Sequence, residues 1–317
     1  MEIKDYVNGN EEDIRALYRA AYNRSLDIDL WKWRFTNNPF GNHFLKLMWD
    51  NDILAGHYSV SASKLVAFGE EITGALSMIT MTHPDYNKRG IFTSLANALF
   101  QEFQGNLKII YGFPNNNSYH GFVSKLGWKH IADIKPYWID TMGKSFQWKE
   151  RYMLVKVNSF DEEIYKLDKN LNTNRIHVRR DSVYLNWRYT NNPSNKYHMY
   201  EIYDRNEIVG FCCYKLYQDV QRGRVICDVV DFLCMNTDIF EDMIYFIIKS
   251  MAQEDVCYID LWTSIDVFGE VLKNIGFIVD EDNVTHFCAM KNSSEDYLNS
   301  TTEIENWYIT MGDSDIY

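Results

Sequence analysis

The chain has 317 residues, 46% of them hydrophobic and 15% aromatic, enough to bury a sizeable core and long enough for two ordinary domains. A formal net charge of −12 argues against a partner held chiefly through a nucleic-acid backbone, because that affinity needs a basic surface. The start, MEIKDYVNGNEEDIRALY, has no basic segment followed by an apolar one, and no run of about 18 apolar residues occurs, so neither secretion nor membrane spanning is expected and the expected location is cytoplasmic.

In chain order, EEDIRALYRAAY predicts an opening helix with Ile14, Leu17 and Tyr18 on one face. FLKLMW and ILAGHYSVSASKLVAF read as strands on either side of a turn at Asn51 and Asp52. EITGALSMITMT reads as a third after the turn at Phe68, Gly69 and Glu70. HPDYNKRG follows, and the helix after it carries Ile91, Leu95, Leu99 and Phe103 at steps of four, with Phe92, Ala96 and Phe100 beside them. LKIIYGF is a strand, SYHGFVSKL a short helix and HIADIKPYWID the closing strand. The order predicts a mixed α/β fold, in which an antiparallel meander leads into a β-α-β crossover.

The pattern then repeats. WRFTNNP at 33–39 returns as WRYTNNP at 187–193, and each copy leads into a strand pair with a polar turn. LKIIYGFPNNNSYHGFVSKLGW (107–128) aligns with VCYIDLWTSIDVFGEVLKNIGF (256–277) as strand, loop, helix and closing Gly-aromatic pair. Two copies of one fold are expected, at 1–148 and 149–292, with a tail at 293–317. The tail's EIENWYITMGDSDIY mixes aromatics with acids, and both a disordered end and a docked one that fixes Asp313 and Asp315 fit it. Cys212, Cys213, Cys227, Cys234, Cys257 and Cys288 lie mostly in apolar runs without zinc-like spacing, so buried free thiols and no metal are expected.

The segment 83–90 carries the chemistry. His83 precedes Pro84 and is held extended, and residues 86–90 must turn sharply into a helix whose first N–H groups have no internal partner. Such a helix start attracts anions. Gly90 lets a ligand approach the backbone, and Lys88 and Arg89 add positive charge, although an ordinary solvated turn has a similar composition. The second copy's counterpart, FLCMNTDIFEDMIYF, has no glycine and no base, and its Asp238, Glu241 and Asp242 suit the helix dipole but repel pyrophosphate. The first copy is therefore expected to keep an anion site and the second to serve as scaffold.

The succession of strand, HPDYNKRGIF, helix, strand and GFPNNNSYHGFVSKLGW resembles the acyl-CoA-binding core of the GNAT acyltransferase superfamily. The tandem arrangement resembles double-GNAT proteins, with the second copy degenerate. The family's phosphate motif, Arg/Gln-x-x-Gly-x-Gly/Ala, falls here with Asn87 first, Gly90 at the central glycine and Phe92 last. Two anchors depart from it, and Lys88 and Arg89 would replace the charge missing at Asn87. The resemblance implies acetyl-CoA or another acyl-CoA as co-substrate. It also implies that the N–H groups of Lys88, Arg89, Gly90, Ile91 and Phe92 meet the pyrophosphate. The pantetheine arm would run past Met81 and Thr82, between strands 75–82 and 108–113. Asn115, Asn116 or Asn117 would meet the arm's far end, though three asparagines after Pro114 are also good turn chemistry.

Amine acylation needs a neutral amine, a polarised thioester carbonyl and a proton for the leaving thiolate. Many relatives carry a carboxylate on the strand before the phosphate loop, and residues 72–84 contain none. The family's tyrosine acid falls on Val123. Tyr119 is the nearest other phenol, and His83 and His120 are the nearby imidazoles; these three are the candidates for proton transfer, each with a structural role as the alternative. An acceptor resembling an α-amino group, with a pKa of about 8, would leave water able to act as the base, with the enzyme acting by positioning.

For the acceptor, the resemblance points to bacterial enzymes that acylate amino groups on nucleotide-linked sugars, here a dTDP-linked amino-deoxy sugar. The 22 Tyr and 9 Trp offer stacking surfaces, and Arg34, Arg179, Arg180 and Arg188 could meet a diphosphate. Arg34 and Arg188 are repeat equivalents, as are Trp33 and Trp187, which also fits a role in the shared fold. His286, in VTHFCAM, is a second candidate for the acceptor cleft expected between the copies. The expected activity is N-acyl transfer by direct attack in a ternary complex. The alternatives are an aminoacyl transferase drawing on charged tRNA, which the acidic charge disfavours, and a catalytically silent CoA-binding scaffold.

Overall fold

The structure, a computed structural model, describes residues 1–317 except 42, 143–145, 171–173, 220–222, 254–255 and 257. Strands β1 (Glu2–Asp5), β2 (Leu45–Asp50), β3 (Ile53–Ala67), β4 (Glu70–Thr82), β5 (Ile109–Gly112) and β6 (Lys129–Ile134) alternate with helices α1 (Glu11–Tyr22), α2 (Ile28–Phe35), α3 (Ile91–Glu102) and α4 (Asn116–Lys125). Then come β7 (Tyr137–Asp140), β8 (Met153–Val157), α5 (Tyr165–Asn170), β9 (Ile176–Val178), α6 (Ser182–Leu185), β10 (His198–Asp204), β11 (Glu207–Asp219) and β12 (Arg224–Cys234). Helix α7 (Thr237–Gln253), β13 (Tyr258–Leu261), α8 (Asp266–Ile275), β14 (Ile278–Val279) and β15 (Thr285–Lys291) complete the fold.

The chain packs into two compact units. The first comprises Met1–Leu65, Glu70–Ala132 and His286–Glu303; the second comprises Val66–Gly69, Asp133–Thr285 and Ile304–Tyr317. The expected divisions at 148 and 292 separate the sequence repeats, whereas the packing divides the chain elsewhere. HIADIKPYWID, expected as one strand, is two: Pro136 supplies no N–H for a ladder, and the segment breaks into β6 in the first unit's sheet and β7 in the second's.

In the first unit the sheet runs β1-β2-β3-β4-β5-β15-β6. The early strands pair antiparallel. Strands β4 and β5 pair parallel across the α3 crossover, with Ala75 opposite Ile110, and β15 lies antiparallel on the far side of β5, with Cys288 opposite Gly112. Helix α3 buries Ile91, Leu95, Ala96, Leu99 and Phe100 against Ala55, Tyr58, Val60 and Ala75. Each large apolar side chain so buried contributes about 1.5–3 kcal/mol. The helix lies so close to β3 that a Cβ on Gly56 would come 2.3 Å from Ile91 Cγ2. Helix α1 spans the expected residues, buries Ile14 and Leu17, and carries three acids in its first turn and Arg19 in its last, as the helix dipole favours.

In the second unit the order is β14-β7-β13-β12-β11-β10-β8, and β12 pairs parallel with β13. Helix α7 buries Phe240, Met243, Ile244 and Ile247, and α8 buries Phe268 and Leu272. The C-terminal tail is docked. Arg180 bonds Asp231 and Asp313, each at 2.9 Å, and Arg188 donates to the carbonyl of Tyr317 at 2.6 Å. Five cysteines are free and buried, as expected, and Cys257 lies outside the described residues. Among the described residues no helix is long and apolar enough to cross a membrane.

The repeated WR(F/Y)TNNP segments share a buried arginine whose carbonyl is held by the following asparagine. Arg34 and Arg188 are 6% and 1% exposed, and Asn38 and Asn192 each donate from Nδ2 to that arginine's carbonyl at 3.4 Å. Arg34 also lies over the Trp33 ring at 4.5 Å.

Candidate active site

Strands β4 and β5 make their ladder only from Gly74–Ile109 to Leu76–Tyr111; beyond it β4 continues to Thr82 without β5. The two strands therefore splay and open a wedge. Part-way along, Ile79 adopts φ +51°, a left-handed conformation costly for a β-branched residue. The kink is held from β3. His57 Nδ1 donates to the Ile79 carbonyl at 2.8 Å, and Ser59 donates to the neighbouring Met78 carbonyl at 2.9 Å. His57 is fully buried beside Trp31 and Phe35, and burial drives its pKa down to about 4, so it is a neutral imidazole. Its Nε2 is buried without a hydrogen-bond partner among the described residues. Below it, the Tyr58 hydroxyl meets Ser77 Oγ at 3.0 Å, and burial pushes that phenol well above its ordinary range.

At the wedge's wide end the chain turns into α3. A short 3-10 turn, Pro84–Tyr86, begins at His83, whose Nδ1 accepts from the Asp85 N–H at 3.3 Å. Tyr86 is anchored through its hydroxyl to Asp50 at 3.0 Å, a bond that raises its pKa. Arg89 lies over the Tyr86 ring at 4.7 Å and donates to the Asp85 carbonyl at 3.2 Å. Lys88 (φ +63°) and Gly90 (φ +76°) both take left-handed conformations, which reverse the chain so that α3 starts at Ile91. No side chain caps this helix, no acid stands in its first turn, and a Cβ on Gly90 would meet nothing within 4 Å. The result is a helix start with open space above a glycine, flanked by exposed Asn87, Lys88 and Arg89, and it fits a phosphate group.

The remaining candidates in the first unit fall into two sets. Met81 and Thr82 end β4, Met81 buried and Thr82 half-buried; Ile91 and Phe92 turn their side chains into the core, Phe92 against Phe122 at 5.2 Å and Tyr58 at 5.8 Å. Only their backbones are left to face a ligand. Asn115 caps α4, its Oδ1 accepting from Asn117 N at 3.0 Å and Ser118 N at 3.1 Å, and the Asn117 side chain is exposed. His120 is exposed and bonded to Ser124 at 3.1 Å.

Tyr119 belongs to a cluster that sequence reading only half saw. Its ring lies 4.5 Å from that of His286 on β15 and 5.6 Å from that of His130 on β6. His286 Nε2 donates to Asn116 Oδ1 at 2.9 Å. Ring nitrogens of His130 and His286 lie within 4.8 Å of each other. His286 therefore joins Tyr119 through strand exchange, and His130 and His57 went unread. His57 was findable as a charged-capable side chain in the apolar run ILAGHYSVSA. His130 had no local signal. Arg34, a candidate for the acceptor, is instead buried in the first unit.

Residues 2–131 match the family model described as Acetyltransferase (GNAT) domain. No curated protein sequence matches the chain. Among solved structures, it is similar to a GCN5-related N-acetyltransferase from Anabaena variabilis, with TM-score 0.73 at 12% identity, covering 92% of this chain and 72% of that one. A conserved protein of unknown function from Enterococcus faecalis gives TM-score 0.71 at 12% identity, with the same 92% and 72%. A GCN5-related N-acetyltransferase from Kribbella flavida gives 0.68 at 11%, covering 92% and 70%. These likenesses speak to fold, and the family match covers the segment that holds the wedge and the α3 start. The match to residues 2–131 supports reading that segment as a GNAT acetyltransferase domain, the kind of domain that takes an acyl-CoA co-substrate.

Proposed function

We infer that the enzyme transfers the acyl group of acyl-CoA to the amino group of a nucleotide-linked amino-deoxy sugar, dTDP-linked in the reading favoured here, by direct attack in a ternary complex. The observation that carries the acyl-CoA part is the uncapped α3 start with open space over Gly90, beside the splayed ends of β4 and β5. In this reading the N–H groups of Lys88 to Phe92 hold the pyrophosphate, and the arm lies beside Met81 and Thr82. In the same reading the thioester carbonyl meets a strand N–H near the kink at Ile79. Tyr119, with His286 and His130 around it, is the best-placed group to return a proton to the thiolate. His83 and His120, engaged with Asp85 and Ser124, rank below it. The sugar acceptor rests on the sequence resemblance and on the abundance of aromatic stacking surface.

The test is calorimetric titration with acetyl-CoA of wild type and Gly90→Asp, followed by thiol release with an amine panel that includes a dTDP-amino-deoxy sugar. Binding to wild type that vanishes in Gly90→Asp, where a carboxylate would collide with pyrophosphate, is expected, with turnover on the sugar nucleotide. Binding untouched by Gly90→Asp would move the cofactor site elsewhere. Turnover on simple amines but not on the sugar nucleotide would remove the acceptor assignment.

A further inference from the structure

The second unit repeats the wedge but not its chemistry. Strands β12 and β13 pair from Ile226–Tyr258 to Val229–Leu261, and β12 then continues to Cys234 without β13. Where the first unit has an open glycine at the helix start, this one has Asn236, whose Oδ1 accepts from Ile239 N at 3.0 Å and closes the helix end with the chain's own side chain. Asp238, Glu241 and Asp242 follow, tied to Arg151. Pyrophosphate is excluded there.

The wedge has nevertheless stayed hollow. A cavity of about 380 Å³ lies between Leu233, Cys234 and Met235 at the end of β12, Ile265, Val267 and Phe268 at the start of α8, and Leu167 of α5. Its volume falls within the range of small-ligand sites, roughly 300–1,000 Å³. Most of the wall is apolar. β9 and the tail seal it, Tyr308 donating from its backbone to Ile176 at 2.9 Å and from its hydroxyl to the Phe232 carbonyl at 2.6 Å.

Arg175 is a cation in the wall of this apolar space. Its Nη1 is buried with no hydrogen-bond partner among the described residues. The acids nearby are committed elsewhere. Asp168 accepts from Arg180 N at 3.0 Å and sits 3.3 Å from His177 Nε2, so the second polar ring in the wall, His177, is paired with that carboxylate. Asp238 points to solvent beside Arg151. A buried guanidinium N–H without an acceptor is unfavourable, and a carboxylate drawn to the guanidinium in the cavity wall would offset that cost and match its fork geometry. We propose that this cavity binds a carboxylic acid with an apolar tail, its carboxylate on Arg175 and its chain among Leu167, Leu233, Ile265 and Phe268. The site lies in the second unit, apart from the acyl-CoA site proposed in the first, at a wedge whose helix end is closed by Asn236.

Titration of the full-length protein with octanoate and, separately, with octan-1-ol tests this. Octanoate should bind wild type more tightly than the alcohol by about thirtyfold, the factor one charge-assisted hydrogen bond carries. Arg175→Leu should erase that preference while still binding octanol. Val267→Trp, on a rim position 57% exposed and therefore harmless to folding, should weaken both by occupying the cavity mouth. Gly90→Asp should bind octanoate as wild type does. Equal affinity for acid and alcohol in wild type, a preference surviving in Arg175→Leu, or octanoate binding unchanged by Val267→Trp would each overturn the proposal.

Discussion

His57 shows how one side chain connects the core to the site. It is the buried group that fixes the Ile79 carbonyl, and through it the left-handed kink in β4. Burial strips the water that would solvate a charged imidazolium there, which is why its pKa falls from 6.5 to about 4. The depressed value fixes the sign of its pH dependence. Between pH 6.5 and about 4 the unfolded chain takes up a proton at this position and the folded one does not, so the stabilisation present above pH 6.5 is lost as pH falls through that window. The loss is on the order of 3 kcal/mol, because the fall from 6.5 to about 4 carries 1.36 kcal/mol for each pH unit. Urea unfolding of wild type and His57→Gln at pH 7, 5.5 and 4 should show a one-proton slope in the difference between them; parallel curves would mean that His57 ionises in the folded state without penalty.

At the scale of elements, an ion-pair network joins the tail's end to the second unit, beside the Trp307 bridge to Ile176 and the buried Trp307, Tyr308, Ile309 and Met311. Asp313 and Asp231 flank Arg180 with all three groups buried, and Thr310 caps the short turn that presents Asp313. Asp313→Ala would leave a buried guanidinium with half its countercharge, and removing one partner of a buried pair costs about 3–5 kcal/mol. A drop of that order in unfolding free energy is expected, together with faster proteolysis after Glu303; an unchanged midpoint would show the tail to be dispensable. The sequence carried the residues for this contact but not its partner, because Asp313 and Arg180 are brought together only by tertiary folding. Elements with their own period were legible: α1 spans the expected residues, and β2, β3, β4 and α3 follow from apolar spacing and turn residues. The α3 start was legible for the same reason, since its glycine and cations are consecutive in the chain. The Tyr119–His130–His286 cluster was not, because its members lie on α4, β6 and β15 and no local pattern records a strand inserted from far along the sequence.

For the whole molecule, that inserted strand decides how much chain each unit needs. In the first unit's sheet β15 lies between β5 and β6, and its Phe287, Cys288 and Ala289 are almost wholly buried, Phe287 stacking on Phe113 at 5.2 Å. In the second unit's sheet β7, from the first sequence repeat, lies between β14 and β13. A fragment ending at 148 would expose the edge of β5 and leave β6 without a neighbour, and burial of Phe287 alone is worth about 1.5–3 kcal/mol. A fragment starting at 149 would open a gap between β13 and β14. Neither half is expected to melt cooperatively or to bind acetyl-CoA when expressed alone, although the first holds every residue proposed to touch the cofactor's phosphates. Calorimetry on 1–148, on 149–317 and on an equimolar mixture measures this. A cooperative transition in the isolated 1–148 fragment would show that β15 is dispensable to the sheet that positions the wedge, and acetyl-CoA binding recovered only in the mixture would show the strand to be what completes it.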